Sequence, residues 1–212
     1  MRKITLLSLL VFMGSLSSFG QQRWAAITAN LNQKFETNEI SGEEWVSGLR
    51  KQAGYLGPLK LWFKSEVAIV KTTNPSLKLL FNTEFQEVMP NGNKYAKVEL
   101  INNTSDSVTI ERIDATVANV QEYFFINRKW VSFRQNHTST CGNSYYRNTL
   151  APYHKINLQL ENNDLTDGEN KVKYKISITL GGQLVISNVI VVKMHDNQIA
   201  RVLEGKHPLD SF

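Results

Sequence analysis

The chain of 212 residues contains a single cysteine, Cys141. An intramolecular disulfide and any multi-cysteine metal site are therefore excluded. Cys141 itself reads as a small buried hydrophobe, with an intermolecular disulfide as the sharper reading. Its four histidines, His137, His154, His195 and His207, show neither H-x-x-x-H nor H-E-x-x-H spacing, so no local zinc signature exists. There is no G-x-S-x-G nucleophile elbow, and a thiolate–imidazole pair of Cys141 with His137 or His154 has no motif to support it. Gly181-Gly182 lacks the following helix and lysine of a phosphate-binding loop. Asn163-Asp164-Leu-Thr-Asp167-Gly168 fails as an EF-hand: with Gly168 at the loop's glycine position, Leu165 and Tyr174 fall where carboxylates are required. It reads as an Asx-type turn, or as a calcium turn of another kind. No catalytic residue, metal ligand or cofactor site is assigned. Excess charge is also missing. Lys and Arg number 24 against 19 acids, and the formal charge of +5 falls by two if Arg2 and Lys3 are removed. That is too little for a nucleic-acid-binding surface.

What is present begins with a leader. Arg2 and Lys3 precede the apolar run Ile4–Phe12, and Ser18 and Gly20 place small side chains before a cleavage point at Gln21. This is the pattern of a signal peptide over residues 1–20. Its apolar core is shorter than the ~20 residues that span a bilayer. No cysteine follows it, and no later stretch is apolar enough to cross a membrane. The expectation is an exported protein, periplasmic or extracellular, with no membrane span in the mature chain.

Residues 21–58 read as a helical segment. Trp24, Ile27, Leu31 and Phe35 share one helical face, which predicts a helix over 23–36. Ser41-Gly-Glu-Glu44 has the capping-box form, and Trp45, Leu49 and Ala53 follow at four-residue steps before Gly54, which predicts a second helix over 42–53. From Leu59 to Phe212 the pattern is of strands and turns, with no helix. Candidate strands are Leu59–Thr72, Leu77–Val88, Lys94–Asn102, Ser107–Ala115, Val117–Ile126, Trp130–Arg134, Lys155–Glu161 and the two arms of a hairpin at 172–192. Short strands separated by turns, without intervening helices, argue for a mainly β protein: an immunoglobulin-like antiparallel β-sandwich over 59–212. The hairpin is the firmest element. Val172, Tyr174, Ile176, Ile178 and Leu180 alternate with polar residues, and Gly181-Gly182 supplies a two-residue turn. That turn pairs Ile178 with Val185, Ile176 with Ser187, Tyr174 with Val189 and Val172 with Val191. A three-residue turn would flip the return strand, because side chains alternate. Residues 135–153 form the longest stretch without a regular pattern and read as a loop.

The run Lys97-Val-Glu-Leu-Ile-Asn-Asn-Thr-Ser-Asp-Ser-Val-Thr109 resembles the strand–turn–strand opening of bacterial immunoglobulin-like or fibronectin-type modules. Cys141-Gly-Asn-Ser144, Leu150-Ala-Pro152, Asp167-Gly168, Tyr174-Lys175 and Ser187-Asn188 are similar to the second half of small exported domains of Bacteroidetes. The resemblance covers roughly Leu77–Met194 and implies fold and export, not a reaction. Asp106-Ser107-Val108 resembles the Asp-Ser/Thr-aliphatic sequence at which such proteins carry O-glycans, which implies Ser107 as an O-glycosylation site.

Aromatics cluster at Tyr123-Phe-Phe125, Trp130 and Phe133, most of which read as core, and at Tyr145, Tyr146 and Tyr153 in the unpatterned stretch. The last three are the candidate ligand-binding residues, a platform for stacking a sugar or peptide. Lys171, Lys173 and Lys175 form a row on the solvent side of the hairpin, or an anion-binding stripe. The functional expectation is a non-enzymatic envelope protein that binds an envelope protein, a peptide or a glycan. The alternatives are a hydrolase with residues dispersed over strands and loops, and a structural subunit assembling through an edge strand.

Overall fold

The computed structural model describes residues 22–90, 92–133 and 142–205. The expected leader lies outside the described residues, as do Cys141, His137 and His207. The chain forms two compact units. One runs from Gly57 to Met194; the other combines the chain up to Leu56 with the chain from His195 onward.

The helical unit holds α1 (22–36), α2 (Gly42–Lys51) and α3 (Asp196–Glu204). The capping box opens α2: the Ser41 N–H donates to Glu44 Oε2 at 2.8 Å and the Glu44 N–H to Ser41 Oγ at 3.2 Å. Phe35 stacks on Trp45 with centroids 5.1 Å apart, and Trp45 Nε1 donates to Asn32 Oδ1 at 2.9 Å. Gly48 lets Leu31 approach α2 so closely that a Cβ would meet it at 2.8 Å. Helix α3 corrects the all-strand reading of the C-terminal region. It is short and polar at its start, so periodicity alone is weak there; packing holds it. Gln198 Nε2 donates to the Tyr55 carbonyl at 3.0 Å and Arg201 Nε to the Ala53 carbonyl at 2.9 Å, which satisfies carbonyls just past the end of α2. Trp24 closes the unit, with Nε1 on Glu204 Oε2 at 3.0 Å and the Arg201 guanidinium 5.0 Å from its ring. Gly54, at φ +62°, is required at this junction, since a Cβ would lie 2.4 Å from the Asn197 carbonyl oxygen.

The larger unit is a mainly β sandwich of two antiparallel sheets, as the strand pattern predicts. Its strands are β1 (Leu61–Ala68), β2 (Leu77–Val88), β3 (Lys94–Asn102), β4 (Val108–Ile113), β5 (Thr116–Val117), β6 (Val120–Ile126), β7 (Lys129–Ser132), β8 (Tyr145–Leu150), β9 (His154–Glu161), β10 (Asn170–Leu180), β11 (Gln183–Ile186) and β12 (Ile190–Met194). One sheet has seven strands in the order β2-β3-β9-β1-β5-β4-β8. The other has the order β11-β10-β6-β7, with β12 also on β10. Between them lie fully buried Leu61, Leu79, Leu100, Leu158 and Leu160 from the first sheet and Phe124, Tyr174, Ile176 and Ile178 from the second. Phe124 and Phe81 both lean on Tyr174, at 5.1 and 6.0 Å between centroids.

Two expectations change. First, residues 145–150 of the supposed loop are strand β8, an edge paired to β4. Second, the hairpin's return arm is broken. Near the turn the two-residue register holds, with Ile178 opposite Val185. Further on, Tyr174 faces Ile190 and Val172 faces Val192, one residue later than a continuous ladder would give. The extra residue sits at Ser187–Val189, and it is put to use. Ser187 Oγ accepts from the Ile176 N–H at 3.0 Å, while Asn188 turns its amide to β2, accepting from the Phe81 N–H at 2.6 Å and donating to its carbonyl at 3.3 Å. The bulge thus stitches the edge of one sheet to the other.

Candidate functional site

Strands β2, β3, β9 and β1 carry a cleft of about 490 Å³ lined by Lys64, Asn82, Glu87, Lys97, Val98, Glu99, Asn157, Leu158 and Gln159. Alternation builds it. Val98, Leu100, Ile156, Leu158 and Leu160 are core, so Lys97, Glu99, Asn157 and Gln159 occupy the opposite face. Pairing then sets them in two rungs: Lys97 faces Gln159 and Glu99 faces Asn157. From β1, Ser65 faces Asn157 and accepts from its Nδ2 at 3.0 Å; the register slips between Phe63 and Ser65, where Lys64 enters the cleft.

The carboxylates are held. Glu99 Oε1 takes Lys155 Nζ at 2.5 Å, and Glu87 Oε2 accepts from Gln159 Nε2 at 2.5 Å. Gln159 is nearly buried, and its Oε1 has no hydrogen-bond partner among the described residues. At one side Trp62 faces Gln159 across the strands, and its Nε1 donates to Glu161 Oε2 at 3.2 Å. The cleft therefore offers two carboxylates, two ammonium groups and three side-chain amides on a rigid sheet, a set suited to polar, multiply hydrogen-bonding ligands.

A second polar group is buried inside the sandwich. Glu122 points into the core from β6, opposite Ile176, and Tyr174 Oη donates to its Oε2 at 3.1 Å. Its Oε1 has no partner among the described residues. Burial raises the Glu122 pKa from the ordinary 4.5 to about 8; the Tyr174 bond opposes that rise and the charge of Asp164 adds to it. Burial, then the neighbouring Glu122, also pushes the Tyr174 phenol well above its usual range. A buried carboxylate is not visible as such in sequence; the signal was an acidic residue at an inward position of an alternating strand.

The tyrosines read as a ligand platform are not brought together. Tyr145 and Tyr146 are neighbours on β8, so their rings leave opposite faces of the strand. Tyr153 lies past the far end of β8, at φ +57°, with Lys71 Nζ 5.0 Å from its ring. Ser107 is exposed in the turn between β3 and β4, accessible to modification. Tyr123, Phe125 and Trp130, read as core, lie on the outer face of the five-stranded sheet, because the buried residues of β6 are Val120, Glu122, Phe124 and Ile126. His154 Nδ1 lies 2.8 Å from the Pro152 carbonyl, a local turn contact. Among the described residues no group of three or more His, Cys, Asp or Glu could hold a metal ion, and no helix is long and apolar enough to cross a membrane. Comparison with protein-family models, with curated proteins and with solved structures found no match for the chain.

Proposed function

We propose that the chain is an exported, non-enzymatic binding protein of the cell envelope, and that its ligand is a glycan held in the cleft of the seven-stranded sheet. The leader pattern supports export. The composition of the cleft carries the choice of ligand: amides of Asn82, Asn157 and Gln159 alternate with Lys64, Lys97, Glu87 and Glu99, which together donate to and accept from vicinal hydroxyls without favouring one net charge. A peptide or a folded partner would draw more from apolar anchors, which the lining does not supply, since Val98 and Leu158 turn their side chains into the core.

The test is an array of neutral oligosaccharides probed with the chain from Gln21. Asn157→Ala with Gln159→Ala should lower retained glycan at least tenfold in protein that circular dichroism and a cooperative melt show to be folded. Retention equal to the wild type, or no glycan bound by either protein, overturns the reading. One observation favours the hydrolase alternative: Glu87 and Glu99 share the cleft, as paired carboxylates do in glycoside hydrolysis. Release of reducing ends that is lost in both Glu87→Gln and Glu99→Gln would replace binding by hydrolysis. Assembly through an edge strand draws its support from β8, whose exposed tyrosines border the seven-stranded sheet.

A further inference from the structure

The outer face of the five-stranded sheet combines lysines, aromatic rings and aliphatic side chains. Its register gives rungs that run straight across the strands. Trp130, Phe125, Lys173 and Val191 form one rung, and Ser132, Tyr123 and Lys175 the next. Ile186 stands opposite Ser177 and Leu184 opposite Thr179 on β11, while Lys193 stands opposite Lys171 on β12. None of the positions that these pairings place on the face is acidic. Leu184, Ile186 and Val191 are 53%, 48% and 58% exposed, so the aliphatic side of the face is open.

The lysines sit over the rings and leave the aliphatic side of the face uncovered. Lys175 Nζ lies 4.2 Å from the Trp130 centroid and 5.4 Å from that of Tyr123, and Lys173 Nζ lies 5.6 Å from Phe125. Cation–π contacts hold the ammonium groups at the level of the ring faces. Lys171 and Lys193 face each other directly, a like-charge pair that destabilises the sheet until an anion lies over it.

We infer that this face docks on an anionic lipid bilayer surface. Four lysines, 171, 173, 175 and 193, match phosphate headgroups. Trp130 and Tyr123 have the amphipathic rings that settle at the headgroup level. Leu184, Ile186 and Val191 form the apolar part that enters the acyl boundary, the role the apolar face of an interfacial helix plays. These aliphatics separate a bilayer from a soluble polyanion, which gains from the lysines alone. An exposed apolar patch beside lysines with no acid at the paired positions is what such a surface requires and what a fully solvated face avoids.

The experiment is flotation of the chain from Gln21, free of the apolar leader, with vesicles of phosphatidylcholine alone and of phosphatidylcholine mixed with phosphatidylglycerol. Binding is expected only to the mixed vesicles and falls as salt is raised. At about fivefold per lysine, Lys173→Ala with Lys175→Ala should weaken binding about 25-fold at low salt. Ile186→Ser with Val191→Ser should weaken it while leaving the salt dependence unchanged. A blue shift of tryptophan emission on binding should be lost in Trp130→Phe. Far-ultraviolet circular dichroism and melting show that each variant is folded. Equal binding to both vesicle types, no binding to either, a lysine variant that binds as the wild type, or heparin taking the protein in preference to mixed vesicles would each overturn the inference. The glycan cleft is separable: Asn157→Ala with Gln159→Ala should float as the wild type does, whether or not the cleft holds a sugar.

Discussion

The two sheets of the sandwich present opposite chemistries on their outer faces, and the inner faces differ too. The seven-stranded sheet carries outward a neutral mixture in which Lys97, Lys64, Glu87 and Glu99 are interleaved with amides. The five-stranded sheet carries lysine, aromatic and aliphatic residues with no acid at the paired positions. Inward, the first contributes mainly aliphatic residues with Phe81, while the second buries Glu122 against Tyr174. Both follow the same period-2 alternation. A strand's alternation thus says which residues share a face, but not what the face is for; that depends on which neighbours the fold brings alongside.

The contrast can be broken from the inside outward. Tyr174→Phe removes the only hydrogen bond to the Glu122 carboxyl among those described and leaves it buried and unsatisfied, so stability should fall by about 1–3 kcal/mol. Urea unfolding reads this directly, and a loss below a few tenths would mean that the two sheets' inner faces are energetically alike.

A pH series sharpens the same point. Glu122 has its pKa raised from 4.5 to about 8 by burial, so between those values the folded state holds a proton that the unfolded state releases. Its contribution to stability is therefore complete below about pH 4.5 and is lost as pH rises through about 8, with a slope of at most about 1.4 kcal/mol per pH unit. Urea midpoints across that window should fall with pH in the wild type and fall less in Glu122→Gln. Equal slopes in both proteins would remove Glu122 as the source.

The smallest effect lies on the outer face. Lys171→Ala relieves the repulsion with Lys193 and should raise stability by roughly 0.2–1 kcal/mol at low salt, vanishing at high salt. A loss of stability instead would show that the Lys171 stem packs on the sheet and that its charge is incidental.

Much of the fold was legible because its signals are local. The Ser41–Glu44 capping box, the Gly181-Gly182 turn and the alternation of β3 and β10 each involve residues a few positions apart. Helix α3 was not read, since its nine residues depend on bonds from Gln198 and Arg201 to carbonyls at 55 and 53. Nor was the bulge at Ser187–Val189, which exists to reach Phe81, more than a hundred residues earlier. The cleft was not read. Lys94–Asn102 and Lys155–Glu161 were legible as strands, but nothing in either singled out Lys97, Glu99, Asn157 or Gln159. Their joining into one site requires β3 to pair with β9 in a particular register, and no local property of either strand specifies that. Tyr145 and Tyr146 do not share a face for the converse reason: nearness in sequence on a strand separates side chains onto opposite faces.

The amino-acid sequence by itself determined the turns, the first two helices, the strand alternation and the charge of each strand's solvent side, because these follow from backbone preference and side-chain period. Only the tertiary structure decided that the acidic and amide residues of β2, β3 and β9 would meet in a cleft. It alone set the lysines of β10 among the rings of β6 and β7, and left Glu122 between the sheets. Those outcomes depend on partners distant in the chain, whose register is chosen by the burial of the whole core.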